Sequence, residues 1–553
     1  MARSTTHGSS RLVHFPPSAG LQWGRALQRS PSWIFGSEYG MSVGLSTWPT
    51  GRNWLVLGPP RSGKGASFFV PTLLSAGDQP DPKPSILITD PKGELLAISR
   101  QRLEGQGYKI HVVAFDQPDL SDGFDPLPWL SSEQFGGIDY GAAQHLAQTI
   151  IPIIPNEKDP FWSNAARTIV ASSVVMAFKT GGTFADALGL AYQLALSSSD
   201  KLVQQVAALR TVDQWAAAQV QGLVNALAND AKLAGNIGAD LIARFSQWTT
   251  PAMLSIFSRP SFRWDEVLEG DQPHAAFVVA ASHHSEQQAV VIASLVASAH
   301  RLQRKQNRLN RPFWVLLDEF GNVGHLPNLL DALTTLPGAG VSIAMGLQSI
   351  PQVASVYGDQ PAKVALEALH GMTVFPGLGF DSASWVSDRL GQMTVSTWAK
   401  STAADNSRQW TKGEHQRRVM MPDEIMTMRS GSIVIQRAGY YGLLSGSQVY
   451  YRGRKYRQEA VIADPNQPQI ARMLDGMRHE LTAPPGAWDL GERLLDQLLP
   501  QDEATNPDPD PAKQSPKSEP KPASQPETPP QTQTGNLLTN LLSGGSDSHE
   551  LES

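Results

Sequence analysis

Gly58-Pro59-Pro60-Arg61-Ser62-Gly63-Lys64 has the spacing G-x-x-x-x-G-K. Glycines at these positions let backbone N–H groups turn inward onto phosphate oxygens, and a helix starting behind them adds its partial positive charge. The lysine then supplies a point charge to the β and γ phosphates. The stretch expected to touch a nucleotide is Gly58, Pro59, Pro60, Arg61, Ser62, Gly63, Lys64, Gly65 and Ala66. One position departs from the pattern. The Ser or Thr hydroxyl that normally follows the lysine and ligates Mg²⁺ is replaced by Gly65. Ser62 and Ser67 are close in sequence but out of register. ATP is therefore the expected ligand, with Mg²⁺ held by another group or through water.

Carboxylates complete this chemistry. Trp314-Val315-Leu316-Leu317 is an apolar run that delivers Asp318 and Glu319 at its end. Such a pair suits Asp318 to the metal shell and Glu319 to orienting an attacking water. Gln348 follows a further apolar run and either senses the γ-phosphate or is an ordinary polar loop residue. His283-His284 reads as a loop pair, because no acidic or third histidine partner is evident. Arg301, Arg304, Lys305, Arg308 and Arg311 cluster on one stretch, where spacings of three and four put several of them on one helical face. They read first as a solvated helix end and second as a DNA-backbone contact. Arg452, Arg454, Lys455 and Arg457 read the same way.

The elements that position these residues follow from the pattern. Asn53–Leu57 is a short apolar run ending at Gly58, hence a buried strand, and a helix is expected over 67–74 with Pro71 as its kink or early end. Strand, helix and strand are expected at 85–89, 94–105 and 109–115, the signature of parallel βαβ units. Over 181–258 strand signals vanish and Ala, Leu and Gln dominate, so an all-helical insertion is expected. Strands return at 276–280, 313–317 and 341–345, with a long helix at 285–309 and shorter pieces at 372–375, 393–398 and 432–436. The organisation read from this is an irregular lead-in (1–50), a nucleotide-binding domain in two parts (51–180 and 259–465), the insertion between them, a helical segment (466–499) and a tail (500–553).

Composition limits the alternatives. The chain has 553 residues, 41% hydrophobic and 17% charged, enough apolar material for a large core. It has no cysteine, which excludes disulfides, thiolate metal sites and cysteine nucleophiles. Residues 500–553 hold nine acidic residues against three lysines, equal to the whole net charge of −6. The rest is neutral, so any nucleic-acid contact has to come from local patches. Ten prolines in that tail, with one apolar island at 537–542, predict disorder, and truncation near residue 500 is expected to leave the fold intact. The longest apolar runs are well short of the roughly 20 residues a membrane helix needs. The N-terminal residues show no apolar signal core.

Taken together, the motifs resemble those of the type IV secretion coupling proteins, the TraG/TraD type of conjugation ATPase. Gly58 to Gly65 looks like that family's phosphate loop. Asp90-Pro91-Lys92-Gly93-Glu94-Leu95 is similar to its DPKGEL signature. Phe124-Asp125-Pro126-Leu127 resembles its Phe-Asn-Pro-Leu stretch, with Asp125 in place of Asn. Leu317-Asp318-Glu319-Phe320, Gly340, Leu347-Gln348-Ser349, Thr373-Val374-Phe375-Pro376-Gly377 and Pro422-Asp423-Glu424 follow in the family's order. The resemblance covers about 33 to 455.

It implies an α/β, RecA-like P-loop NTPase with a mostly parallel sheet, an inserted all-α domain and an ATPase cycle that uses Mg²⁺. It also implies a homo-hexamer when active, and a relaxase-bound single DNA strand or protein cargo delivered to the secretion channel. Two departures accompany it. No membrane anchor is evident, so a cytoplasmic chain is expected, recruited to the inner membrane by a separate anchor protein or by channel components. The lead-in aromatics Trp23, Trp33, Phe35 and Tyr39 are the candidate dock. The position of a trans-acting arginine is Pro337, which leaves Arg389, Arg417 or Arg418 as candidates. The competing readings are a nucleotide-stabilised recruitment hub with little turnover and an FtsK/HerA-like DNA translocase.

Overall fold

A computed structural model describes residues 24–26, 42–43, 51–132, 137–152, 160–227, 242–259, 261–306, 308–323, 325–326, 328–402, 408–438, 442–447 and 487–498. The basic patch at 452–457, the lead-in aromatics and the tail, with its apolar island, lie outside these residues.

Apolar runs that stop abruptly at glycine or an acid become strands. In chain order they are β1 (Gly24–Ala26), β2 (Ser42–Val43), β3 (Trp54–Leu57), β4 (Ser85–Thr89), β5 (Lys109–Ala114), β6 (Ser131–Ser132), β7 (Gly137–Ile138), β8 (His274–Val279), β9 (Phe313–Leu317), β10 (Val341–Leu347), β11 (Gly371–Val374), β12 (Gln392–Thr402), β13 (Arg408–Arg418), β14 (Ser432–Arg437) and β15 (Leu443–Ser447). Eleven of them form one sheet in the order β2-β1-β15-β14-β11-β3-β10-β9-β4-β8-β5. From β11 to β5 every neighbour is parallel. From β11 back to β2 the pairing is antiparallel. Strands β3 and β4 are buried along their whole length, as a parallel sheet covered on both faces requires. Alternate side chains divide between two cores: Leu55 and Leu57 enter the larger, Trp54 and Val56 the smaller.

Helices cover the sheet where expected. Glu94–Gly105 and Ser285–Gln306 begin at the predicted residues. The latter stops at Gln306, so Arg308 and Arg311 are not on it. The helix after the phosphate loop starts as a π turn, Gly65–Phe69, and becomes α-helical only over Val70–Leu74. Pro71 has no N–H to donate, and the local register widens there. Beyond Phe161–Thr180 the described residues to 257 hold only helices: Phe184–Leu196, Ser199–Val212, Gln214–Leu227 and Pro251–Phe257 are the main ones. Helix Ala487–Leu498 packs on Phe184–Leu196, and Arg493 Nη2 meets Asp186 Oδ1 at 2.5 Å.

Two expectations change. The lead-in, read as irregular, contributes β1 and β2, and β1 pairs with β15 from Gly24↔Ser447 to Ala26↔Ser445. The piece expected at 393–398 is one arm of a ribbon, β12–β13, paired from Gln392↔Arg418 to Thr402↔Arg408 outside the main sheet. Among the described residues no helix is long and apolar enough to cross a membrane.

Candidate functional site

The phosphate loop leaves the end of β3, and its two neighbouring strands fix it there. Gly58 N–H donates to Leu347 O of β10 at 3.0 Å, and Phe375 N–H, just past β11, donates to Leu57 O at 2.8 Å. Gly63 has φ +100°, a conformation other residues adopt only under strain. Ser67 N–H donates back to Gly63 O at 2.9 Å and starts the helix. Lys64 is 7% exposed, and its Nζ donates to Gly58 O (2.5 Å) and Pro59 O (3.1 Å). Burial lowers its pKa, while the charges of Asp318 and Glu319 pull it back up. Ser62 Oγ is buried without a partner. Around Gly65 there is open space: a Cβ built there meets nothing within 4 Å.

Asp318 and Glu319 act on this lysine from the tip of β9, and Asp90, at the tip of β4, acts on Asp318. Burial pushes Asp318 up to about 7; Lys64 opposes the shift, and Glu319 and Asp90 add to it. Asp90 is 2% exposed and is likewise pushed by burial to about 7, against the hydrogen bond it accepts from Leu96 N–H at 2.8 Å. Thr89 Oγ1 donates to Asp318 O at 3.0 Å and ties the two tips together. Glu319 sits in the left-handed region, φ +58° and ψ 53°, an unusual state for a residue with a Cβ. Its Oε2 accepts from Asn322 Nδ2 at 2.8 Å. That tight turn needs room from β10, and Gly346 provides it: a Cβ there would stand 3.0 Å from Leu317 O and 3.2 Å from Glu319 N. Gln348 lies just past the tip of β10, the strand between β3 and β9, with its N–H donating to Gln352 Oε1 at 3.1 Å. Lys64, Asp318 and Glu319 thus stand together at the strand tips, with Gln348 just past the end of the intervening strand β10. Asp90, noticed in sequence only as part of a signature, joins them.

Other motifs do structural work. Phe375 lies against Gly58, and Trp54 Nε1 donates to Thr373 Oγ1 at 3.0 Å, so the Thr373–Gly377 stretch props the phosphate loop from below. Asp125, raised by burial to about 6, accepts from Leu127 N–H at 2.9 Å, while Phe124 N–H donates to Ile256 O at 3.0 Å. That stretch joins sheet to helical region.

The basic patch resolves the same way. Arg301 bonds Pro128 O at 2.9 Å and pairs with Asp265. Arg311, 6% exposed, donates to Lys83 O at 3.0 Å, to Gly270 O and to Asp271 O. These two arginines brace the chain internally, while Arg304, Lys305 and Arg308 are exposed. The candidate trans-acting arginines also have partners within the chain: Arg389 bonds Leu369 O at 2.7 Å, Arg417 pairs with Glu424, and Arg418 meets Asp388 at 2.6 Å. One expectation is overturned. His283-His284 does have an acidic partner, Asp116, brought beside it by the pairing of β5 with β8.

Lys64 at the tip of β3, two carboxylates at the tip of β9, and the order β11-β3-β10-β9-β4 between them are the core of a RecA-like P-loop NTPase. The chain belongs to the type IV secretory system conjugative DNA transfer family, whose profile matches residues 24–473. It is 25% identical over 457 residues to the conjugal transfer protein TraG of Escherichia coli, covering 74% of this chain and 69% of that one. In fold it is similar to the plasmid coupling protein TrwB, solved with the non-hydrolysable ATP analogue ADPNP (TM-score 0.54, 16% identity, 80% of this chain and 96% of that one). The same likeness holds for TrwB in complex with ADP and Mg²⁺ (TM-score 0.54, 16% identity, again 80% and 96%).

Proposed function

We propose that this chain binds ATP with Mg²⁺ at the loop Gly58–Ala66 and hydrolyses it to move DNA through a conjugative type IV secretion channel. The observation that carries the reading is electrostatic. A buried lysine meets the charges of Asp318 and Glu319 beside a loop whose backbone is already turned for phosphate, Asp90 acts on Asp318, and burial raises Asp90 and Asp318 to about 7. Carboxyls raised this far cluster at functional sites, where a cation or a reacting group joins them. Lys64 exchanges its bonds to Gly58 O and Pro59 O for the β and γ phosphates. Glu319 orients the attacking water, and Gln348 is placed to touch the γ-phosphate. Mg²⁺, when bound, neutralises phosphate charge, and Asp318 is the residue to hold it, directly or through water, because Gly65 offers no hydroxyl.

TrwB's complexes with ADPNP and with ADP and Mg²⁺ support both ligands. The cargo is a relaxase-bound single strand. The helical region 181–258 is the part that meets it, and the working form is a hexamer recruited to the cytoplasmic face of the inner membrane. Measuring ATP hydrolysis with and without single-stranded DNA tests the proposal, with Lys64→Ala as the control. DNA-stimulated turnover that disappears in Lys64→Ala is expected; turnover that survives Lys64→Ala overturns it. Gly65 supports a second reading, a nucleotide-stabilised recruitment platform, which predicts tight ATP binding with negligible turnover under every condition.

A further inference from the structure

Past the ends of β5 and β8 the structure assembles a group that the nucleotide chemistry does not use. Asp116 follows β5 by two residues, and His283-His284 sit in the turn that leads into the helix Ser285–Gln306. Both imidazoles aim the same atom at one carboxylate oxygen: His283 Nε2 is 3.2 Å and His284 Nε2 3.3 Å from Asp116 Oδ1. A ligand atom from each of the three residues lies within 4.8 Å of the other two. In the sheet order β8 stands four strands from β3. At about 4.8 Å per strand this places the group roughly 20 Å from the phosphate loop.

The geometry points to a divalent transition-metal site, of the Zn²⁺ type, held by Asp116, His283 and His284. Charge-assisted hydrogen bonds between imidazole and carboxylate usually run about 2.7–2.9 Å, and both distances here are longer. They match instead the edge of a coordination tetrahedron, about 3.4 Å for Zn–N and Zn–O bonds of about 2.0–2.2 Å. Two imidazoles and one carboxylate suit zinc and its neighbours and disfavour Mg²⁺, which prefers oxygen. The supports that hold such ligands are also present. Asp116 Oδ2 accepts from Ala281 N–H at 2.8 Å, which fixes the carboxylate. Gln287, one turn further along, is fully buried, and its side chain is within hydrogen-bonding reach of His284. It is the neighbour able to accept from His284 Nδ1–H once Nε2 binds metal, the usual outer partner of a metal-bound histidine. Asp116 and His283 are exposed and His284 half-buried, which leaves the remaining coordination positions to water.

Such an ion has a definite mechanical place. Among the described residues β5 ends the sheet and pairs only with β8, and its outer side is covered by the loop that follows it, where Val112 N–H donates to Asp122 Oδ2 at 2.8 Å and Ala114 N–H to Ser121 Oγ at 3.0 Å. The metal would fasten the root of that loop to the neighbouring strand's exit.

The test uses untagged full-length protein, freed of metal with a chelator and titrated with ZnCl₂ by calorimetry. Co²⁺ absorption serves as an independent probe. One equivalent of Zn²⁺ is expected to bind at micromolar or lower concentration, unaffected by excess Mg²⁺, with a rise in melting temperature. The d–d bands of bound Co²⁺ should report imidazole ligands. Asp116→Asn and His284→Ala should each weaken Zn²⁺ at least tenfold while ADPNP affinity at the phosphate loop stays unchanged, which shows that the variants are folded. Absence of saturable Zn²⁺ and Co²⁺ binding in the wild type, or binding that both variants retain, overturns the assignment.

Discussion

The strand tips around Lys64 and the helical region from Phe184 to Phe257 are both well packed, but they are held by opposite means. At the tips the fixing elements are backbone: Gly58 on Leu347, Phe375 on Leu57, Thr89 on Asp318, with a left-handed Glu319 and buried like charges left in place. In the helical region the fixing elements are apolar side chains. Phe184, Trp248 and Phe257 are each fully buried, with Phe184 edge-on to Phe257 at 4.9 Å and Trp248 stacked on Phe257 at 6.2 Å. Strain and unneutralised charge collect where ligand chemistry is expected, and stability is supplied elsewhere. The two regions should therefore fail separately.

The largest effect tests the tips. Lys64→Ala should reduce ATP hydrolysis by at least ~10²-fold, while the melting temperature stays level or rises because a buried charge is gone. A variant that unfolds instead would show the lysine to be structural. Glu319→Gln should bind ATP normally and slow turnover by about 10²-fold, read by nucleotide retention in single-turnover assays. Phe257→Ala inverts the pattern: a loss of about 3–5 kcal/mol in denaturant unfolding, with ATP affinity of the remaining folded protein unchanged.

A smaller effect depends on pH. Asp90 has a folded-state pKa raised to about 7, above its ordinary value, so the folded state holds a proton that the unfolded chain releases. Its contribution is favourable below the unfolded value and is lost as pH rises toward the folded one. Asp90→Asn should thus gain stability relative to wild type in thermal melts between about pH 5 and pH 8; a constant offset across that window would show that the carboxyl is not the cause. The smallest change is expected at the joint between helices. Arg493→Ala exposes one end of an ion pair whose arginine is 57% exposed, worth about 0.5–1 kcal/mol.

The tips were legible in the sequence because their signals are local. The glycines and the lysine stand within one seven-residue stretch, the two acids directly end their own apolar run, and βαβ alternation supplied the frame. What escaped depends on which strands become neighbours. Asp116 and His283 are 167 positions apart in the chain and meet only because β5 pairs with β8. Asp90 joins Asp318 for the same reason, through β4 and β9. Arg311 looked like part of a basic surface because helical periodicity was extended five residues past Gln306, where the helix ends; the guanidinium then turns inward to three carbonyls. The left-handed Glu319 has no signature in residue type at all.

The pairing of β1 with β15 has a consequence for how the chain is made. Gly24 to Ala26 leaves the ribosome well before its partner, Ser445 to Ser447, which is synthesised more than 400 residues later. At roughly 5–20 residues per second, that wait is on the order of 20–80 s. Throughout it the parallel strands can assemble in turn while the antiparallel side of the sheet stays open, with unpaired N–H and C=O groups on a growing chain. Closure of this sheet is thus a late event, timed by translation, and during that interval the nascent protein is most exposed to mispairing with its neighbours on the same message.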